Sequence, residues 1–265
     1  MTGSPLAAPE YVPGHDLLHG KVVVVTAAAG AGIGAAVLRR ALEEGAQAVV
    51  FSDTHERRLA EAEAALGEEF GADRVRSLVC DVTDEAQVAA LLAAAEELGG
   101  VDVMVNNAGL GGTANILEMT DEEWSRVLDI TLTGTFRCVR AAGARMVAAG
   151  TRGVIVNNAS VIGWRAQEGQ AHYAAAKAGV MALTRCSALD LAPHGIRVNA
   201  VSPSLAMHPF LAKVTSDDLL AELTDREAFK RAAEPWEVAN VMVFLASDYA
   251  SYMTGEVVAV SSQQA

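Results

Sequence analysis

Tyr173 and Lys177 stand four residues apart in "HYAAAKAGVMALTRCSAL", with only alanines between them. At about 3.6 residues per turn, that spacing puts both on one helix face. A free phenol ionises near pH ~10 and is a poor base at neutrality. An ammonium held beside it favours the phenolate. Such a pair can exchange a proton with an alcohol or a carbonyl oxygen, and Lys177 could also hold ribose hydroxyls. The same spacing also describes an ordinary surface pair. Ser160 comes thirteen residues earlier, just after the run "VIVNN". Its hydroxyl could donate to a substrate oxygen, or simply form a turn.

A second group of residues could bind a dinucleotide. "VVVVTAAAGAGIGAAV" passes from a β-branched run into small residues, with Gly30, Gly32 and Gly34 at the change. Glycines there let backbone amides approach a pyrophosphate at a helix N-terminus; close packing of helix on strand is the other reading. Asp53 ends the next apolar run, 19 residues after Gly34. A carboxylate at that place accepts from a ribose 2′-hydroxyl and repels a 2′-phosphate, which favours NAD over NADP. It could instead cap a helix, and Arg57 and Arg58 stand close enough in sequence to meet a 2′-phosphate. Asp81 and Val82, in "VCDVTD", could take the adenine amino group and ring, or Asp81 or Thr83 could cap the next helix. Asn106, Asn107 and Gly109 of "VNNAGLGG" could line the cofactor cleft or form a turn.

These groups need a scaffold that brings them to one edge. Seven short apolar runs read as strands: Val22–Thr26, Ala48–Ser52, Arg76–Cys80, Val103–Asn106, Val154–Asn158, Arg197–Val201 and Val257–Val260. Near-continuous apolar character suits parallel strands buried on both faces. Helical patterns lie between them, at Ile33–Glu44, Glu56–Leu66, Glu85–Leu98, Asp121–Ala149, Tyr173–Leu191 and Trp236–Ser247. Thr83 and Thr120, each followed by acids, read as helix starts. The alternation predicts an α/β fold: a single doubly wound Rossmann-type domain over residues 1–265, with about seven parallel strands and helices on both faces. Residues 1–19 are expected to wrap the surface as an N-terminal extension. Residues 204–231 interrupt the rhythm and are expected to form a helical substrate lid.

The bulk figures bound the function. A net charge of −13, from 20 basic and 33 acidic residues, argues against nucleic-acid or anionic-membrane partners. Cys80, Cys138 and Cys186 are odd in number and lack metal-site spacing, so free thiols in a reducing cytoplasm are expected and no metal is. The opening residues lack the basic and apolar regions of a signal peptide.

Assembled, the chain resembles a short-chain dehydrogenase/reductase from about Leu18 to Val260. The matching stretches are "NNAG" at 106–109, Ser160, "YAAAK" at 173–177, "RVNAVSP" at 197–203 and "PWEVANVMVFLASDYASYMTGEVV" at 235–258. The resemblance implies Ser160, Tyr173 and Lys177 as the catalytic group, a nicotinamide cofactor and a homotetramer. It also implies cofactor contacts from Thr26, Ala28, Gly30, Gly32, Ile33, Gly34, Asp53, Asp81, Val82, Asn107, Gly109, Tyr173, Lys177, Pro203 and Ser204. More narrowly, "GWRAQ…HYAAAKAGVMALTRCSA" and "TGEVVAVSSQ" are similar to actinobacterial members placed in sterol C/D-ring breakdown, which act on a ring alcohol of a coenzyme A thioester.

The sequence departs from the family pattern in three places. Ala27 replaces the first glycine of the phosphate turn, and Gly34 comes one residue late. Thr131, in "DITLTG", stands where the family has a catalytic Asn; it keeps a hydroxyl but has no amide. Ser204 and His208 replace a Gly and a Thr. Trp164, Arg165, Gln167, Gln170, His172, His208 and Phe210 are expected around the substrate together with Ser160, Trp164 suiting a bulky apolar group and Arg165 a carboxylate or phosphate. The expected reaction is hydride transfer between NAD and a secondary alcohol or ketone. Alternatives are an NADPH-linked 3-oxoacyl-thioester reductase, which Asp53 opposes, and a non-catalytic NAD-binding sensor, which the altered turn and Thr131 permit.

Overall fold

A computed structural model of the chain describes residues 7–207 and 217–262. Seven strands form one parallel sheet in the order β3-β2-β1-β4-β5-β6-β7. They are β1 (Val22–Val25), β2 (Ala48–Asp53), β3 (Val75–Val79), β4 (Val103–Asn106), β5 (Val154–Asn158), β6 (Arg197–Pro203) and β7 (Val257–Val260). The four valines of β1 are all buried because successive side chains point to opposite faces and both faces are covered. Val23 and Val25 join the apolar layer beneath helices α1 (Ile33–Glu43) and α8 (Pro235–Ala246). Val22 and Val24 join the layer beneath α3 (Glu85–Glu97) and α5 (Gly134–Ala149). The remaining helices are α2 (Glu56–Phe70), α4 (Asp121–Leu128), α6 (Ala171–Leu191) and α7 (Asp217–Arg226). Strand order reverses between β1 and β4, so the crevice at their carboxyl ends is the topological switch point where open α/β sheets take ligands.

Two helix expectations need correction. Asp84, not Thr83 or Asp81, caps α3: its side chain accepts from the backbone N–H groups of Ala86 and Gln87. The expected long helix Asp121–Ala149 is broken by a π turn over Asp129–Thr133. Gly134 passes so close to Val82 that a methyl group there would lie 2.5 Å from Val82 Cγ2. The extra residue in the turn turns Thr131 inward; such π-bulges recur at functional sites. At the start of α4, Thr120 and Glu123 form the reciprocal capping box that the acids after Thr120 suggested.

From residue 7 to residue 17 the chain is mostly exposed. Its anchor is the buried pair Arg40–Glu44, 2.5 Å apart on the last turn of α1. Glu44 accepts from the backbone of His15 and Leu17, at 2.7 and 3.0 Å. Tyr11 packs edge-on against Trp236 at the start of α8. No helix among the described residues is long and apolar enough to cross a membrane.

Candidate active site

β5 and α6 deliver the chemical residues. Ser160 follows the end of β5, in the turn before α6, and is 8% exposed. Its hydroxyl shares a hydrogen bond with Tyr173 and also accepts weakly from Ile162 N at 3.3 Å. Tyr173 and Lys177 lie on the first turns of α6, and the ammonium sits 5.6 Å from the centre of the phenol ring. Lys177 is buried and donates to the carbonyl of Asn158 at 2.5 Å. Burial lowers its pKa from 10.5 to about 8.

The phenol behaves differently from the sequence expectation. Burial raises the Tyr173 pKa above its ordinary value, and the Ser160 hydrogen bond only partly offsets this. Lys177, with its pKa near 8, stays mostly charged at neutrality, but desolvation of the phenol outweighs what favours the phenolate. The arrangement therefore keeps a proton on Tyr173, ready to be given.

The phosphate turn fits a dinucleotide. Gly32 begins α1 without a side-chain cap, and no acidic residue occupies the first turn, so the helix offers open backbone N–H groups to an anion. Gly34 admits no side chain: a methyl group would lie 2.6 Å from Asn107 Nδ2 and 2.7 Å from the Ala27 carbonyl. Gly30 faces open space. Ala28 is buried, and its N–H donates to the Ser52 carbonyl at 2.8 Å. Ala27, in place of the expected glycine, takes a left-handed φ of +52°. The inserted residue thus leaves the turn open, and the strain falls on an alanine. Thr26 Oγ1 accepts from Asn107 N and Ala108 N, both at 3.0 Å, locking β1 to β4 at the switch point.

Asp53 ends β2 with its side chain 12% exposed. It accepts from Ala29 N at 3.4 Å and His55 N at 3.2 Å, and it pairs with Arg58 at 3.3 Å. Both the acid and a guanidinium therefore stand at the edge of the turn, whereas Arg57 pairs with Glu61. Asp81 holds its own turn through Thr83 N and Thr83 Oγ1, at 2.9 and 2.8 Å. Val82 is buried against Gly134. Ser204 N donates to Val260 O at 3.0 Å, and Pro203 closes β6 beside it.

The loop after β4 folds over the pair on α6. A methyl group on Gly109 would come 3.5 Å from Lys177 Nζ and 3.7 Å from Thr131 Oγ1. Thr131 donates to Leu110 O at 3.1 Å and accepts from Leu110 N at 2.9 Å. Its only proton is committed to that loop, so it has no hydrogen left for a relay from the lysine. Gln170, expected at the substrate, lines the cavity described below and donates to Gly112 O at 2.7 Å and to Thr113 Oγ1 at 3.2 Å. Trp164 is half exposed at the rim. His208 and Phe210 lie outside the described residues.

Asn158 escaped the reading of the sequence. Its carbonyl takes the lysine, and its side-chain nitrogen donates to Asn107 Oδ1 at 3.0 Å. Its Oδ1 is buried with no hydrogen-bond partner. The signal was present as a second asparagine ending the apolar run "VIVNN". A cavity of about 360 Å³ opens between Asn115, Ile116, Gln167 and Ala174, at the start of α6; Ser160, Tyr173 and Lys177 do not line it. No cluster among the described residues could hold a metal ion.

Such a site, on a parallel sheet reversing at β1 and β4, defines a nicotinamide-dependent oxidoreductase. The chain belongs to the short-chain dehydrogenase/reductase family: a family model described as enoyl-(acyl carrier protein) reductase matches residues 27–262. A Mycobacterium tuberculosis (strain ATCC 25618 / H37Rv) protein named (5R,7aS)-5-hydroxy-7a-methyl-1-oxo-2,3,5,6,7,7a-hexahydro-1H-indene-carboxyl-CoA reductase is 62% identical over 257 residues, 97% of each chain. The cis-4-hydroxycyclohexanecarboxylate dehydrogenase of Sinomonas cyclohexanicum is 45% identical, covering 91% of this chain and 94% of its own. A crystal structure of a short chain dehydrogenase from Mycobacterium smegmatis superposes with a TM-score of 0.86 at 56% identity, covering 98% and 99% of the two chains.

Proposed function

We propose that the protein transfers a hydride between NAD(H) and a ring ketone or secondary alcohol of a steroid-derived bicycle carried as a coenzyme A thioester. The observation that carries this reading is the Ser160–Tyr173–Lys177 group at the carboxyl edge of β5, beside an uncapped glycine turn. The named activity of the 62% identical relative supports the substrate class. The cavity beside Ala174 and the exposed Trp164 offer apolar surface for a ring system.

Gly32, Ile33 and Gly34 would hold the pyrophosphate, with Thr26, Ala28 and Gly30 shaping the turn. Asp53 would hold the adenine ribose, Asp81 and Val82 the adenine, and Asn107, Gly109, Pro203 and Ser204 the nicotinamide end. When bound, the dinucleotide supplies the hydride or takes it. Ser160 donates to the substrate oxygen. Tyr173 gives its proton to that oxygen as a ketone is reduced, or takes one as an alcohol is oxidised. Lys177, steadied by Asn158, places its charge beside the ring and binds ribose hydroxyls. A phenol held above its ordinary pKa suits the reductive direction at neutral pH. Thr131 positions the Gly109–Leu110 loop and carries no proton. The segment at residues 204–231, of which 208–216 lie outside the described residues, is assigned the lid role, and a homotetramer working in the cytoplasm is the expected form.

Asp53 is the reason to place NAD before NADP, because its carboxylate faces the site of a 2′-phosphate. Arg58, at 3.3 Å from Asp53, is the one observation favouring the NADPH-linked 3-oxoacyl-thioester reductase. Initial rates with each dinucleotide, against a bicyclic ketone thioester and a short 3-oxoacyl thioester, test both readings. Turnover of the short thioester alone, with NADPH, overturns the first reading. Absence of turnover with every ketone and alcohol would point to an NAD-binding sensor.

A further inference from the structure

We infer that His172 is a positioning residue for Tyr173, fixing the first turn of α6 and the Gly111–Thr113 loop as one unit around the phenol. Its ring is buried, at 2% exposure, one residue before the tyrosine. Nδ1 accepts the backbone N–H of Tyr173 at 2.9 Å. That N–H is one of the donors at a helix start with no intrahelical partner, and the Gln170 side chain at the N-cap does not take it. Because Nδ1 accepts, the proton of the neutral ring lies on Nε2.

Nε2 faces the loop. A methyl group on Gly112 would lie 3.2 Å from it, and one on Gly111 would lie 3.9 Å from the Tyr173 ring. Gln170 ties the same loop down through Gly112 O and Thr113 Oγ1, while Ala114 N donates to Gly169 O at 3.0 Å. Two glycines thus let the loop lie flat on His172 and Tyr173, and three hydrogen bonds hold it there. The imidazole is wedged between the backbone of the proton donor and the loop that covers it. A slack first turn would let the phenol drift from the substrate oxygen, and misplacement by about 1 Å costs on the order of 100-fold in rate.

The test has two arms. Imidazole NMR of isotope-labelled protein, with the His172 signal identified by its loss in His172→Asn, reports the tautomer without any turnover. Nε2–H with unprotonated Nδ1 is expected; Nδ1–H overturns the inference. The kinetic arm rests on the dehydrogenase reading and compares His172→Leu with His172→Asn, whose Oδ1 can replace Nδ1 as acceptor. Leucine should lower kcat by about 10- to 100-fold with little change in the ketone KM, and asparagine should restore most of the loss. Undiminished kcat in the leucine variant, or an asparagine variant as impaired as a folded leucine variant, contradicts it. If leucine prevents folding, the asparagine variant and the tautomer decide. Wild-type protein that turns over no ketone removes the proposed function and leaves the tautomer arm intact.

Discussion

Lys177→Met should make the protein more stable while removing activity. The ammonium has one described partner, the Asn158 carbonyl, and burial pulls its pKa from 10.5 to about 8. At 1.36 kcal/mol per decade, that gap makes the charged form roughly 3 kcal/mol more costly in the folded state than in the unfolded chain. Methionine fills much of the same volume without charge but gives up the hydrogen bond to Asn158, worth about 1.5–3 kcal/mol for a charged donor. The net gain near pH 7 should be about 1 kcal/mol. The sign follows from linkage. Between pH about 8 and 10.5 the unfolded lysine binds more protons than the folded one, so wild-type stability gains from this group as pH rises through that window. The advantage of methionine should therefore be largest below pH 8 and should shrink or reverse as pH rises. Cys80 and Cys138, raised by burial to about 11 and about 12, act in the opposite sense above pH 9, but they cancel in the difference between variant and wild type. Urea denaturation of both proteins at several pH values up to 9.5 reads the difference directly. A difference that does not change with pH would refute the buried-charge reasoning.

Three further outcomes follow. Ala27→Gly should stabilise the fold by about 0.5–1 kcal/mol, because left-handed alanine costs about 1–2 kcal/mol and the added chain entropy of glycine returns only part of that; loss of stability in urea melts would mean that the turn is not strained. Asp53→Ser should raise the KM for NAD by about tenfold, the scale of one charged hydrogen bond, and improve the use of NADP beside Arg58; unchanged cofactor preference in initial rates would remove Asp53 from the ribose. The raised Tyr173 pKa keeps the phenol protonated at neutrality, so reduction should change little from pH 6 to 7 and fall through pH 8 as Lys177 loses its charge, while oxidation should climb toward pH 10. Solvent-corrected pH profiles of kcat in both directions measure this, and an oxidation rate that plateaus by pH 7 would contradict it.

The sheet was legible because valine-rich runs announce strands buried on both faces, and the strand starts agree within one residue. The pairing of Ser160, Tyr173 and Lys177 was legible because helical periodicity and strand ends suffice to bring them together. Other features depended on contacts remote in sequence. The π turn at Asp129–Thr133 lies where Gly134 approaches Val82, 52 positions away. The bonds that Thr131 and Gln170 make to the loop of Leu110, Gly112 and Thr113 cannot be read from their own positions in the sequence. The direction of the tyrosine's pKa is not legible because spacing reports the nearby charge but not the desolvation of the phenol.

The most direct measurement is single-turnover reduction of a bicyclic ketone thioester by enzyme saturated with NADH, comparing wild type with Tyr173→Phe while NADH binding is followed by fluorescence. Loss of the phenol proton should slow hydride transfer by about 10²- to 10⁴-fold, with NADH affinity kept. Transfer at the wild-type rate in the phenylalanine variant would show that the proton comes from elsewhere.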